Sequence, residues 1–511
     1  MKRMLVGAVL CVAATVLAAQ SSAPASIVIV NGKVWTGDKA KPWAEAVAIT
    51  GETITAVGSN AEIRARAEEK KTRVIDAAGR VVIPGINDAH MHPASGMPRF
   101  ELSLDENAKW SDVALALGSG LDETPKDVWI TASLGPGLAA DSSLTRQKLD
   151  EAAPGRKIIL SSFTGHGAIL STAAMQALGL AKDAKDFDGG WYGRDANGDL
   201  NGRIFEYAQY AVDRKFADMA SSEELAGAIA NLNDEALRHG ITSVQAMTIT
   251  SEGTYEKALR DANIPLRVRL MSLPIDLKAK PWLQKNGAIK FILDGTPIER
   301  GAALRTAKFE GGTQGRENFA NLAPLVAMAV DNNQQLLLHA SGDKTVASAL
   351  NAIAKTKLNR PRIEHGDGMQ PDLFPLAKET GAIVVVNPSH FPFRGTYPKE
   401  GLYMPAQSLV KNGIPLAIGS DGPLNPWLNL MFATARDDQP TEALSREEAL
   451  RAYTYGSAYA EMTETTKGRI APGYLADIAI LSQDIFKVPV NALPETRSQF
   501  TIIGGKVVFE E

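Results

Sequence analysis

The stretch Val82-Ile-Pro-Gly-Ile-Asn-Asp-Ala-His-Met-His-Pro93 decides the fold prediction for this chain of 511 residues. It starts as an apolar strand and ends in two histidines, His90 and His92. Side chains two residues apart on a strand face the same side, so both imidazoles can coordinate one metal ion. A His-x-His pair alone is weak evidence, because a histidine satisfied in a core or loop gives the same spacing.

Beyond this stretch, short apolar runs alternate with helical stretches from about residue 83 to residue 465. That alternation is typical of a parallel sheet with crossover helices. With 81–84 as the first strand, the other seven are predicted at 241–245, 266–273, 288–293, 335–339, 362–365, 382–387 and 415–420. Eight such strands in series predict an α/β fold of the (β/α)8 TIM-barrel type.

The chain ends and one long interruption fall outside this pattern. Residues 26–82 and 467–511 carry short β-branched runs with turn signals, which predicts one small β-sandwich domain built from both termini. The barrel domain is then residues 83–466. Residues 94–220 are too long for one loop and are predicted to form a large insertion after the first barrel strand.

The first residues have the pattern of an export signal. Lys2 and Arg3 precede an apolar run over 4–17 and a zone of small residues over 18–23. This predicts a signal peptide over 1–19 and a periplasmic or secreted product, with an uncleaved N-terminal anchor helix as the alternative. Cys11 lies in the apolar run, so the mature chain would contain no cysteine.

Composition excludes several classes of protein. Lys and Arg total 54 against 58 Asp and Glu, for a net charge of −4, whereas nucleic-acid and anionic-membrane binders are basic. Hydrophobic residues make up 45 % and charged residues 22 %, which argues against wholesale disorder. With 1 cysteine and 7 histidines, a disulfide scaffold is excluded, and any metal site must use imidazole and carboxylate ligands.

The histidines fall where barrel enzymes carry their catalytic groups, at the carboxyl ends of strands. His339 ends the predicted fifth strand, His365 the sixth and Asp421 the eighth, beside His90 and His92 on the first. Several candidate ligands at matching strand ends make a metal site a much stronger hypothesis than one His-x-His pair does. Histidines that merely satisfy a core or loop are the alternative.

Lys290 lies inside the predicted fourth strand, in Gly287-Ala-Ile-Lys-Phe-Ile-Leu-Asp294. If its apolar neighbours face the outer helices, the lysine faces the barrel interior, where desolvation lowers its pKa and leaves a nucleophilic amine. Such an amine can take up carbon dioxide and become a carbamate that bridges two metal ions. The alternative is a lysine that extends to solvent at the strand end.

Together these stretches resemble the amidohydrolase superfamily, and more narrowly its YtcJ-like branch, which includes N-substituted formamide deformylase. The stretches that carry the resemblance are 82–93, Gly240-Ile-Thr-Ser-Val-Gln245, Lys290-Phe-Ile-Leu-Asp-Gly295, 468–476 and 501–508. The superfamily order also fits: paired histidines on strand one, lysine on four, histidines on five and six, and aspartate on eight. The resemblance covers nearly all of the predicted mature chain.

The resemblance implies a metal centre. One ion would be held by His90, His92 and Asp421, the other by His339 and His365, with carboxylated Lys290 between them. Zinc suits these ligands, although manganese, iron, cobalt and nickel stay open, as does a single ion. Asp421 would be the catalytic base that takes a proton and returns it to the leaving group.

The implied activity is hydrolysis of a non-peptide C–N bond by a metal-activated hydroxide in an exported enzyme. The substrate would be a small molecule, such as a linear or cyclic amide or an N-formyl or N-acyl compound. An esterase, lactonase or deaminase on the same ions is the alternative within enzymes, and a periplasmic binding protein the alternative outside them. No nucleic-acid or membrane partner is expected for the mature form, and a homo-oligomer stays open.

Three further residues are candidate substrate contacts. His166 and Glu206 lie in stretches similar to those of the branch, and His390 follows the predicted seventh strand. A local hydrogen bond, a solvated acid and a surface loop are the respective alternatives. His239 precedes a glycine that ends a predicted helix, so it is assigned a structural role. Residues 296–318 are predicted to be a long loop after the fourth strand, of the kind that forms lids or binding loops.

Overall fold

The computed structural model describes residues 24–119, 121 and 124–511. The predicted signal peptide and Cys11 lie outside this part of the chain. Within it, no helix has both the length and the apolar character that crossing a membrane requires.

Eight parallel strands form the centre of the α/β fold. Numbered first to eighth along the chain, they are Ile86–Met91, Ile241–Ala246, Arg267–Leu270, Ala288–Ile292, Gln335–Ala340, Arg362–His365, Ile383–Val386 and Leu416–Ile418. The first three pair in one sheet and the last five in another, each strand parallel to its neighbour in sequence. Nearly all their residues are buried, because parallel strands carry packed layers on both faces.

Hydrogen bonds connect these two sheets at both of their outer edges. Ser272, just after the third strand, bridges to Ile289 of the fourth, and the amide of Lys290 donates to the carbonyl of Ser272 over 2.8 Å. On the other side, the amide of Asp421 donates to the carbonyl of His90 over 2.9 Å. The ends of the first and eighth strands therefore lie side by side.

Helices separate most of these strands. They are Ser222–Arg238, Glu252–Ala262, Ala323–Asp331, Asp343–Ile353, Phe374–Glu379, Ala406–Lys411, Pro426–Thr434, Arg446–Arg451 and Ser457–Ala460. Ser221 and Glu224 form a capping box at the start of the first of these helices, with each side chain bonded to the other residue's backbone amide. The same helix is capped at its end by His239, whose Nδ1 lies 3.0 Å from the carbonyl of Glu235, so this histidine has the structural role predicted for it.

The predicted first barrel strand is wrong. Val81–Pro84 pairs with Lys33–Trp35 and Ile478–Leu481 in a separate sheet, and the first parallel strand begins two residues later at Ile86. The two apolar runs adjoin at Gly85, so the hydrophobic pattern does not show where one strand ends. A Cβ at this position would lie 2.1 Å from Oγ1 of Thr242, which explains why the junction needs glycine.

Strands from both ends of the chain share one sheet. In spatial order it contains Lys506–Glu510, Ser498–Ile503, Ile478–Leu481, Val81–Pro84, Lys33–Trp35 and Trp43–Ala44. A second sheet contains Thr53–Gly58, Ala46–Thr50, Ile27–Val30 and Arg73–Asp76, beside the short helix Asn60–Arg64. Ile29 and Val47 of the second sheet pack in one apolar cluster with Val82 and Ile480 of the first, so the two sheets enclose a common core.

Residues 94–220 form a further sheet of six strands. In spatial order these are Gly190–Arg194, Leu200–Glu206, Gly167–Leu170, Ile158–Ser162, Ile130–Leu134 and Phe100–Leu102. Helices Trp110–Ser119, Pro136–Ala140, Arg146–Ala152, Thr172–Ala177 and Tyr207–Ala217 belong to the same region. The last of these helices follows directly on Glu206 and leads the chain back toward the parallel strands.

Candidate metal centre

The side chains predicted as ligands meet at the carboxyl ends of the parallel strands. They are His90, His92, Lys290, His339, His365 and Asp421. One possible ligand atom from each of His90, His365 and Asp421 lies within 4.8 Å of the other two, which forms a group that can hold a metal ion. The strand ends therefore bring residues more than 300 positions apart into contact.

Asp421 is at the middle of this cluster. Its Oδ2 lies 3.7 Å from Nε2 of His90 and 3.8 Å from Nδ1 of His365, and its Oδ1 lies 3.6 Å from Nε2 of His92. These distances are too long for hydrogen bonds. They are near the roughly 3.4 Å that separates two ligand atoms on a tetrahedral ion with bonds of about 2.1 Å.

Two residues of the cluster have unusual backbone conformations. Asp421 has a φ of 37° and His365 a φ of 66°, in the left-handed region that residues other than glycine rarely adopt. Such strain costs about 1–3 kcal/mol and persists where the surrounding structure imposes it. Here it directs both side chains to the common centre.

A hydrogen bond to Nδ1 of each ring leaves Nε2 of His90 and of His92 directed at the centre. Nδ1 of His92 lies 2.8 Å from the carbonyl of Met247, which can only accept, so Nδ1 carries the proton and the Nε2 lone pair faces Asp421. Nδ1 of His90 lies 2.6 Å from Oε2 of Glu364. Burial, followed by the nearby charge of Lys290, lowers the pKa of His90 and lowers that of His92 to about 3. Both imidazoles are therefore neutral, as metal ligands must be.

Glu364 and its partner Arg362 were not predicted from the sequence. Both side chains are fully buried, and the guanidinium donates to Glu364 Oε1 over 2.7 Å and to Oε2 over 2.9 Å. Burial raises the pKa of Glu364, but Arg362 and His90 outweigh it and hold the pKa well below its usual range. An ionised carboxylate thus orients the His90 ring, an arrangement common around protein metal sites. The alternation Arg362-x-Glu364 before His365 was the available signal.

We expect Glu364→Gln to weaken metal binding about 10–100-fold, because the carboxylate that orients His90 is lost. It should also destabilise the fold by about 3–5 kcal/mol, since Arg362 becomes an unpaired buried charge. Competitive metal titration and thermal unfolding measure the two effects. Asp372→Asn is the control, as this exposed carboxylate also binds an arginine, Arg305, through two hydrogen bonds. Equal metal affinity in both variants would contradict the role of Glu364.

Lys290 lies beside the paired histidines in the buried centre. Its Nζ is 3.1 Å from Nε2 of His90 and 3.5 Å from Nε2 of His92, and the residue is 2 % exposed. Within the described residues, no carboxylate forms an ion pair with it. Burial lowers the pKa of Lys290 to about 8, although Asp421 opposes this. The alternative of a lysine that extends to solvent does not fit this position.

His339 and His365 form the other side of the centre. Their ring centroids are 4.3 Å apart, and Nε2 of His339 lies 3.3 Å from Oγ of Ser341. Nδ1 of His365 is buried and has no hydrogen-bond partner, which is costly for a polar atom unless a further group binds it. An ion near Asp421 would supply that group, so the residues present fit a divalent metal.

Comparison with known proteins agrees with this geometry. The sequence model described as "Amidohydrolase family" matches residues 73–509. The chain belongs to the amidohydrolase family. The predicted assignment to this family is confirmed, and with it a hydrolase that acts on carbon–nitrogen bonds. The metal-ligand roles of individual residues stay predictions.

Two relatives of this amidohydrolase belong to the branch that the sequence resembles. It is 26 % identical to YtcJ of Bacillus subtilis (strain 168), named as an amidohydrolase, over 91 % of this chain and 96 % of that one. It is 23 % identical to N-substituted formamide deformylase of Arthrobacter pascens, over 95 % of this chain and 98 % of the relative.

Solved structures show the same fold. An uncharacterised metal-dependent hydrolase from Pyrococcus horikoshii matches with a TM-score of 0.69 and 20 % identity, over 91 % of this chain and 99 % of that one. An adenosine deaminase from Xanthomonas campestris, solved with bound zinc, matches with a TM-score of 0.54 and 15 % identity, over 95 % of this chain and 93 % of that one.

The three candidate substrate contacts of this amidohydrolase lie at or near the centre. Nε2 of His390 lies 3.0 Å from the carbonyl of Asp421, and its ring stacks on His365 at a centroid distance of 5.6 Å. The ring of His166 is 4.9 Å from that of His339. Both His166 and His390 line the cavity above the centre, whereas Glu206 lies behind His166.

Glu206 holds His166 in a buried network. Nδ1 of His166 is 3.1 Å from both carboxylate oxygens of Glu206 and from the hydroxyl of Tyr210. Asn318 donates its amide to Glu206 over 3.0 Å. Burial lowers the pKa of His166, but Glu206 outweighs it and raises the pKa overall. Glu206 thus positions the imidazole, so the alternative of a solvated acid is wrong for this buried residue.

A cavity of about 730 Å³ opens above the cluster. Its walls come from the 94–220 region and from the loop after the fourth strand, which includes Thr296 and Ile298. The hydroxyls of Ser162 and Thr164 donate to Glu299 Oε1, which fastens that loop to the 94–220 region. The start of the loop predicted over 296–318 therefore forms part of the cavity wall.

Proposed function

We propose that this amidohydrolase cleaves a non-peptide C–N bond of a small linear or cyclic amide, or of an N-formyl or N-acyl compound. The observation that carries the proposal is the buried cluster around Asp421, with histidine nitrogens 3.6–3.8 Å from its carboxylate oxygens at the floor of the cavity. We also propose that the eight parallel strands close into a (β/α)8 barrel and that the terminal sheets form a composite β-sandwich domain.

Divalent ions, with zinc first among them, suit this donor set. His90, His92 and Asp421 would hold one ion, and His339 and His365 a second. A bound ion would activate water and polarise the scissile carbonyl. Lys290 would contribute as a carbamate. Its ammonium would first lose one proton to solvent, and the neutral amine would then form an N–C bond to carbon dioxide and release a second proton, which leaves an anion beside the histidines.

The chain itself moves the proton. Burial raises the pKa of Asp421, but the surrounding imidazoles of His90 and His390 outweigh it, so the pKa lies well below its usual range. The ionised carboxylate can accept a proton from the attacking water and return it to the leaving nitrogen. Because the backbone amide of Asp421 is bonded to His90, the carboxylate keeps its place during both transfers.

The cavity residues orient the substrate. Nδ1 of His166 donates to Glu206, and the raised pKa of His166 favours a ring with both nitrogens protonated, so Nε2 can donate to a substrate carbonyl. His390 also lines the cavity, and its hydrogen bond to the Asp421 carbonyl fixes its position there. Fixed donors around the reacting group keep it in an attack geometry and exclude bulk water.

Export of the mature enzyme remains part of the proposal. The charged start, apolar run and small-residue zone of residues 1–23 support it. Amino-terminal sequencing of the product from a bacterial periplasm tests it, and a product that keeps Lys2 and Arg3 would contradict it.

The decisive experiment combines metal analysis with a substrate panel. Protein stripped by a chelator should be inactive, and added Zn²⁺ or Mn²⁺ should restore cleavage of N-formyl, N-acyl or cyclic amides. Esters, lactones and aminated heterocycles complete the panel, and cleavage confined to them would replace the amide assignment. Protein that binds no divalent ion after reconstitution would overturn the proposal.

A further inference from the structure

We propose that the wall of the cavity formed by helix Tyr207–Ala217 is a subsite for a primary ammonium group carried by the substrate. The ammonium would bind Asp213, Gln209 and Thr131. This inference rests on the proposed function and narrows its substrate class to amides that carry a basic amine away from the scissile bond.

One face of the helix lines the cavity. Gln209, Tyr210, Asp213, Phe216 and Ala217 all contribute to the wall, at the spacing of one helical face. Tyr210 marks the end near the centre, because its hydroxyl lies 3.1 Å from His166, which neighbours His339. Asp213 lies almost one turn, about 5 Å, farther along the helix. The wall therefore begins at the metal centre and leads away from it.

Asp213 is a carboxylate without a counter-ion. Among the residues that the structure describes, no Lys, Arg or His forms an ion pair with it. It is half-buried and lines the cavity, and burial raises its pKa to about 7, with only the Gln209 side chain as a stabilising hydrogen bond. A cation in the cavity would favour the ionised form and relieve that cost.

Two further acceptors that line the same cavity have no partner. Gln209, one helical turn before Asp213, is 1 % exposed, and its Oε1 has no hydrogen-bond partner. Oγ1 of Thr131, on strand Ile130–Leu134, is also buried and unpartnered. An unsatisfied buried polar atom costs about 1–3 kcal/mol. A primary ammonium carries three N–H donors, which matches one carboxylate and two neutral acceptors.

Apolar side chains in the rest of the lining favour an apolar spacer. Ile159, Phe216 and Leu273 line the cavity on the same side. Arg99 and Glu101 also line it, but they lie 3.8 Å from each other and neutralise one another. The subsite thus presents one carboxylate among apolar side chains, so it should favour an alkylammonium over a neutral or anionic chain.

Binding of n-hexylamine tests the subsite without catalysis. Calorimetry on metal-loaded protein should show n-hexylammonium binding about 10-fold more tightly than hexan-1-ol, since charge-assisted hydrogen bonds exceed neutral ones. Hexanoate should bind weakest. Asp213→Asn should abolish the preference for the amine, and Gln209→Leu should reduce it. Asp261→Asn, an exposed carboxylate on another helix, is the matched control and should leave all three affinities unchanged.

Kinetics then separates this inference from the proposed function. Mono-N-acetyl diaminohexane should show a KM about 10-fold below that of N-acetyl hexylamine, and Asp213→Asn should raise only the former KM, with kcat unchanged. Cleavage of both amides without discrimination would overturn the subsite and leave the function standing. Amine-selective binding without cleavage of any amide would support the subsite and overturn the function. A preference for the carboxylate probe would overturn the subsite.

Discussion

Asp421→Asn should reduce kcat by about 10²–10⁴-fold, the range that a positioned general base contributes. An amide occupies the same volume as a carboxylate but cannot take a proton from water at neutral pH. The main-chain contacts of Asp421 to His90 and His390 do not involve its side chain and should survive the substitution. Substrate affinity should therefore change far less than turnover. Steady-state kinetics with measured metal content tests this expectation.

The control for this variant is Asp437→Asn, which makes the same chemical change at an exposed position. It should leave kcat and metal content unchanged. If Asp421→Asn turns over at the normal rate with full metal content, Asp421 is not the base. If the variant loses metal in proportion to activity, Asp421 acts as a metal ligand. Excess metal distinguishes the two roles, because it should restore the activity of a variant that lacks only a ligand and not of one that lacks the base.

Lys290→Ala should reduce kcat by at least about 10²-fold, the second largest loss predicted after that of Asp421→Asn. The lysine lies within 3.5 Å of both paired histidines, and a shift of about 1 Å in reacting groups already costs this much. Metal per chain should fall from two ions to one or none, because the proposed bridge is gone. Elemental analysis and kinetics of the same preparation measure both effects.

Chemical rescue distinguishes a carbamate from a merely structural lysine. Propionate, which carries a carboxylate small enough for the vacated space, should restore part of the activity and metal content of Lys290→Ala. It should do nothing for Lys257→Ala, a control at an exposed lysine. Full metal content in unsupplemented Lys290→Ala, or an electron-density map of the metal-loaded enzyme with an unmodified amine, would contradict the bridge.

The strand ends were predictable because enzymes built from eight successive β/α units carry their catalytic groups there. His339 and His365 close apolar runs that are short enough to be strands, and the structure places them as expected. The first strand was misplaced because two apolar runs adjoin at Gly85, and local hydrophobicity does not distinguish between partners. Pairing depends on residues such as Ile480, which lie hundreds of positions away.

The supporting residues were less predictable for the same reason. Glu364 and Arg362 look like any charged pair until the fold places them against His90. Asp213 and Gln209 carry no motif, and only the return of their helix to the parallel strands gives them a wall to line. Sequence patterns therefore indicate which residues can do chemistry, whereas long-range packing decides which residues support them.

The attachment of the loop after the fourth strand to Ser162 and Thr164 through Glu299 has a consequence for divergence. The candidate ligands lie at strand ends, whereas much of the cavity wall comes from residues 94–220 and from this loop. Substitutions in the walls can alter which molecules enter without moving a ligand. Substitutions at Ser162, Thr164 or Glu299 affect both parts of the wall, because Glu299 joins the loop to the 94–220 region. Descendants of this chain can therefore exchange substrates while they keep one reaction.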